Sequence, residues 1–87
     1  YMSSRYMQLL NDDSTKRVSK KLMRLSLAER ESVCKSVASA GLSTFTGVPD
    51  EFFGWLNELI QKDSESDLCE LVVELGAKKI EDFLDNN

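Results

Sequence analysis

Cys34 and Cys69 are the strongest nucleophiles and softest metal ligands in the chain, and they lie far apart in it. A structural zinc site needs four ligands at close spacings such as C-x-x-C, and histidine, the other usual ligand, is absent altogether. No metal site is therefore expected. Both cysteines fall on or beside apolar helical faces, where a thiol behaves as a small hydrophobe. Redox chemistry would require a lowered thiol pKa and exposure. Asp63, Glu65 and Asp67 have the spacing that opens a calcium loop. The sixth position of such a loop must be glycine and is Leu68 here, and the twelfth is Glu74, inside a predicted helix.

Without histidine there is no imidazole base, no His nucleophile and no Cys–His dyad. Serine is common, but no G-x-S-x-G elbow is present, and neither G-x-x-x-x-G-K nor G-x-G-x-x-G occurs to cradle phosphates. The adjacent carboxylates Asp12/Asp13 and Asp50/Glu51 stand at turns and helix starts, where solvated capping explains them. The expectation is a protein that is not an enzyme and carries no cofactor.

Two clusters remain as binding surfaces. Lys16, Arg17, Lys20, Lys21 and Arg24 form a cationic stripe: helical spacing sets Lys16, Lys20 and Arg24 on one line and Arg17 and Lys21 on the next. Such a stripe can contact phosphates, although no aromatic residue interleaves with it for base stacking. A helix-turn-helix reading of residues 33–56 fails, because the second helix would meet Gly47 and Pro49 and then turn acidic. The plain alternative is a solvated face that pairs with the acidic half of the chain. The second cluster is aromatic. Phe45, Phe52, Phe53 and Trp55 fall within eleven residues, flanked by Glu51 and Glu58. Successive helical residues are about 100° apart, so Phe52, Phe53 and Trp55 cannot all turn inward to the same depth. Phe53 or Trp55 is expected to stay partly exposed, where it could serve as an interface anchor. The plain alternative is that these aromatics are core, since so small a domain needs its large side chains.

The elements that must position these groups are all helical. Tyr6, Leu9 and Leu10 share a face of a short first helix. Asn11-Asp12-Asp13-Ser14 breaks it. Val18, Leu22 and Leu25 give the next helix a narrow apolar line. Ser26-Leu27-Ala28-Glu29 matches a capping box and opens a helix carrying Arg30, Val33, Cys34, Val37 and Ala38 on one side, with Gly41 as its terminator. Pro49 begins another helix, whose Phe52, Trp55, Leu56 and Leu59 form an apolar stripe that Phe53 and Ile60 widen. Gly54 within it costs about 1 kcal/mol relative to alanine, which suggests close contact with a neighbour. Ser64 or Ser66 caps a last helix. Its stripe, Leu68, Leu71, Val72, Leu75, Ile80, Phe83 and Leu84, reads as continuous through Gly76.

These boundaries predict helices over 3–10, 15–25, 27–40, 49–61 and 65–84, with an irregular loop at 41–48. The expected fold is all-α, a single bundle of four to five helices over 1–87, in which residues 1–14 form a peripheral N-terminal helix. Its core should hold Leu22, Leu25, Val33, Val37, Phe52, Leu56, Leu59, Leu71, Leu75 and Ile80. Eighty-seven residues suffice for one small core, and a 41% hydrophobic content fits a folded chain rather than a disordered one.

The formal charge of −4 conceals a division. Residues 1–38 carry eight Lys/Arg and four Asp/Glu, a net +4, whereas residues 39–87 carry three and eleven, a net −8. No apolar run approaches the ~20 residues of a membrane helix. No basic segment followed by an apolar stretch opens the chain, Tyr1 reads as one residue ahead of a native Met2, and the cysteines are isolated. A cytoplasmic location is the expectation. The functional expectation is a small regulatory or inhibitory module that binds another protein. A second reading is a nucleic-acid-binding protein using the basic helix at 16–24. A third is an oligomerisation or scaffold domain, such as a homodimer, using the last helix.

Overall fold

The structure, a computed structural model, describes residues 4–42 and 50–86, and Phe45 lies outside them. The described residues form six helices and no strand: α1 (Ser4–Leu10), α2 (Asp13–Met23), α3 (Leu27–Leu42), α4 (Asp50–Gln61), α5 (Glu65–Leu75) and α6 (Ala77–Asp85). The fold is all-α, with six helices instead of four to five. The extra break falls at Gly76, whose φ of 99° is a conformation that L side chains rarely adopt. Its amide donates to the Val72 carbonyl at 2.8 Å and closes α5. The apolar spacing carries through Gly76 because α6 turns its own face, led by buried Ile80, back onto the same core.

Local signals account for most other boundaries. The capping box forms at the start of α3: the Ser26 amide donates to Glu29 Oε1 at 3.1 Å, and the Glu29 amide donates to Ser26 Oγ at 3.2 Å. Ser64 caps α5, accepting from the Asp67 amide at 3.3 Å. Gly41 does not terminate α3, which continues through Leu42.

The core draws on five helices: Val18 and Leu22 from α2; Cys34, Val37 and Ala38 from α3; Leu56, Leu59 and Ile60 from α4; Leu68, Leu71, Val72 and Leu75 from α5; and Ile80 from α6. Helix α5 is central and touches each of the other five. Helix α1 packs on α2 and α5 but contributes no buried residue. Leu25, Val33 and Phe52, expected in the core, are only partly buried against its edge. Leu25 lies in the turn between α2 and α3, and Val33 and Phe52 pack against the core from outside it.

Gly54 is also corrected. A Cβ built there would meet nothing within 4 Å, so no neighbour requires the glycine. Because Gly54 is exposed in the interior of α4, Gly54→Ala is expected to stabilise the protein by about 0.5–1 kcal/mol through helix propensity. A urea midpoint that falls in the variant would contradict this.

Candidate functional site

The basic stripe divides along its two helical lines. Arg17 grips the Glu81 carboxylate with two hydrogen bonds, Nε to Oε2 at 2.9 Å and Nη2 to Oε1 at 3.0 Å. Lys21 donates to the same Oε2 at 3.0 Å and lies 3.9 Å from Asp85. This line of α2 is therefore neutralised by α6, joining the basic half of the chain to its acidic half. Lys16, Lys20 and Arg24 are exposed, and among the described residues none has a carboxylate within 4 Å.

Hydrogen bonds and the charges of Arg17 and Lys21 hold the Glu81 carboxyl well below its usual 4.5, at about 2. A carboxylate with a depressed folded-state pKa contributes stability that is complete above its unfolded pKa and disappears as pH falls through the folded one. The window for Glu81 is therefore pH 4.5 down to about 2. Across it, the wild-type melting temperature should fall more steeply than that of Glu81→Gln. Parallel curves for the two proteins would rule out this coupling.

The aromatic segment forms a shelf along α4. Phe52, Phe53 and Trp55 are each half-buried, while Leu56 beneath them is fully buried. Phe52 meets Phe53 edge-on, with centroids 6.5 Å apart, and Trp55 at a tilt of 44°, with centroids 5.5 Å apart. Phe53 faces α3, where Lys35 Nζ lies 6.0 Å from its ring centroid while also pairing with Glu31. Phe52 and Trp55 face α5 and line an open cleft with Glu74. Glu51 is exposed in the first turn of α4, and Glu58 is exposed two turns further along it. Glu51, Phe53, Trp55 and Glu58 all lie on α4, but Phe53 faces α3 whereas Trp55 faces α5.

Phe52, expected in the core, and Glu74, not singled out from the sequence, belong to the same region, while Glu70 lines a separate groove with Met7 and Lys16. Glu70 and Glu74 are one turn apart on α5, and like charges at that spacing repel. Among the described residues neither has a lysine or arginine within 4 Å. Partial burial, and then these two charges, raise the pKa of the Tyr6 phenol on α1.

The thiols are free. Burial pushes Cys34 up to about 12, against the smaller opposing effect of Arg30. Cys69 lines a broader groove with Met7, Lys16 and Glu70, and its sulfur lies 3.3 Å from the Ser19 hydroxyl, which donates to the Thr15 carbonyl. Among the described residues, no group of three or more Cys, Asp or Glu could hold a metal ion. No helix there is long and apolar enough to cross a membrane.

Comparison of the chain with protein-family models, with curated protein sequences and with solved structures found no match.

Proposed function

We propose that the protein is a non-catalytic binding module, a small regulator or inhibitor that acts by engaging another protein through the α4 shelf. One observation carries this reading: three large aromatic side chains, Phe52, Phe53 and Trp55, stay half-buried around one helix above a core already closed by Leu56, with Phe52 and Trp55 together on its α5 side and Phe53 on its α3 side. Rigid aromatics at a surface supply much contact area with little conformational entropy to lose, which is why they dominate binding hot spots. The carboxylates bordering the shelf, Glu51, Glu58 and Glu74, favour a partner with a basic surface. Two free thiols in so small a chain suit a reducing, cytoplasmic setting.

The test is capture from the native host by immobilised protein, with identification by mass spectrometry. The wild type should retain a protein that Trp55→Ala and Phe53→Ala lose, while both variants keep their helical circular dichroism. If either variant merely unfolds, its side chain belonged to the core.

Nucleic-acid binding is the second reading, favoured by the unpaired line Lys16, Lys20 and Arg24. Phosphate contacts made by these residues would weaken steeply with salt. A gel shift absent at low salt, or unchanged when the three residues become glutamate, removes this reading. An oligomerisation seam on the last helix has little surface left to use, because Leu68, Leu71, Val72, Leu75 and Ile80 are buried within the chain.

A further inference from the structure

We infer that the cleft between α4 and α5, lined by Phe52, Trp55 and Glu74, receives an arginine side chain from a basic segment of the partner protein. The inference rests on the α4 binding reading and specifies the chemistry of what is bound. The cleft is open to solvent and offers about 270 Å³, below the usual range for cofactor or drug-sized ligands and room for one long side chain. Two of its walls are aromatic rings tilted at 44°, whose faces attract cations. The third wall carries Glu74, and Glu70 stands one turn earlier on α5, where it lines the neighbouring groove with Met7 and Lys16.

The charge at this place is unbalanced. Several other carboxylates have a cation within 4 Å: Glu81 with Arg17 and Lys21, Asp63 with Arg30, Glu31 with Lys35, Asp67 with Lys62 and Asp82 with Lys78, whereas Glu58 on α4, at the border of the same shelf, has none among the described residues. Asp12, Asp13, Asp50, Glu51 and Glu65 lie at helix starts, where the helix dipole favours them. Glu70 and Glu74 have neither compensation and repel each other across one turn. A cation between Glu74 and the rings removes that repulsion. The protein already builds one such contact, with Lys35 lying over Phe53 on the other side of the same helix. Arginine suits the cleft better than lysine, because its planar guanidinium stacks on an indole face while donating in a fork to a carboxylate.

Trp55 is the sole tryptophan of the chain, so its emission reports directly on the cleft. The experiment is a fluorescence titration of the full chain with a synthetic tetra-arginine peptide, with tetra-lysine and tetra-glutamate alongside. The expected result is saturable change with tetra-arginine, at least threefold weaker binding of tetra-lysine and none of tetra-glutamate. Glu70→Gln/Glu74→Gln should weaken the arginine peptide fivefold or more. Asp12→Asn/Asp13→Asn, which removes the same charge from the start of α2, should change it less than twofold. A signal that does not saturate, or equal losses in the two double variants, overturns the inference. Partner capture on the same variants separates its failure from that of the binding reading. Capture lost in Trp55→Ala but intact in Glu70→Gln/Glu74→Gln keeps the shelf and rejects the arginine cleft, and capture unaffected by either rejects both.

Discussion

Replacing Arg30 with methionine is expected to destabilise the protein by about 3 kcal/mol. Arg30 is only 3% exposed, although it begins on a helix otherwise bound for the core. A helix leaves its last carbonyls short of intrahelical partners, and the Arg30 guanidinium collects carbonyls at the end of α2 and in the turn after it, of which Leu22 also accepts from the Leu25 amide at 3.1 Å. Its Nε donates to the Leu22 carbonyl at 3.0 Å, and its Nη2 to Leu25 at 3.1 Å and Met23 at 3.4 Å. Its Nη1 donates to Asp63 Oδ1 at 2.8 Å, reaching the turn between α4 and α5, where Asp63 has a positive φ of 52°. One side chain therefore ties together the α2–α3 and α4–α5 connections and places a cation at a helix C-terminus. Methionine fills the volume and satisfies none of these acceptors. Asp63 is half-exposed and regains water, so the loss falls chiefly on the carbonyls.

On a per-residue scale, a chain of this length has a total stability of roughly 4–13 kcal/mol. Arg30→Met should therefore lower the urea midpoint substantially with little change in slope. Arg30→Lys should be nearly as damaging, because a single ammonium cannot span the same acceptors. A loss under ~1 kcal/mol in Arg30→Met would mean that the carbonyls are satisfied by water and that the network is incidental.

The second large effect is expected at Leu71. It is fully buried on α5, the helix that touches all the others. Leu71→Ala removes apolar contact and leaves a cavity that six short helices can only partly collapse, at a cost of about 2–5 kcal/mol. Chemical denaturation followed by far-UV circular dichroism measures this directly. A loss below 1 kcal/mol would mean that the core repacks around the gap, contrary to the central position of α5.

Helix identity and capping were readable because they depend on local chemistry. Ser26 and Glu29 lie three residues apart, and their reciprocal hydrogen bonds follow from that spacing alone. The charge division was also readable, and half of the basic stripe does pair with the acidic half, through Glu81 and Asp85. Which half pairs depends on how α6 lies against α2, a tertiary fact without a local signal. The break at Gly76 has no signature in the spacing, because the interval from Val72 to Ile80 suits a continuous helix and equally suits two helices folded onto one core. Periodicity does not separate these, whereas the φ of 99° does. Gly54 was over-read: a glycine in a helix invites a packing reason, and here the space beside it is empty. For Arg30 the available signal was a cation on the line of Val33, Cys34 and Val37, a position where arginine needs partners. Within the candidate surface, the neighbouring aromatics were legible. The arrival of Glu74 beside them depends on α5 packing against α4.

The central claim, that the α4 shelf and not the α2 stripe meets the partner, is tested most directly by site-specific photo-crosslinking in the native host. A photoreactive phenylalanine analogue replaces Trp55 in one version of the protein and Lys20 in another. The account predicts a discrete protein adduct from position 55 and none from position 20. A nucleic-acid adduct from position 20, with nothing captured from position 55, would contradict it.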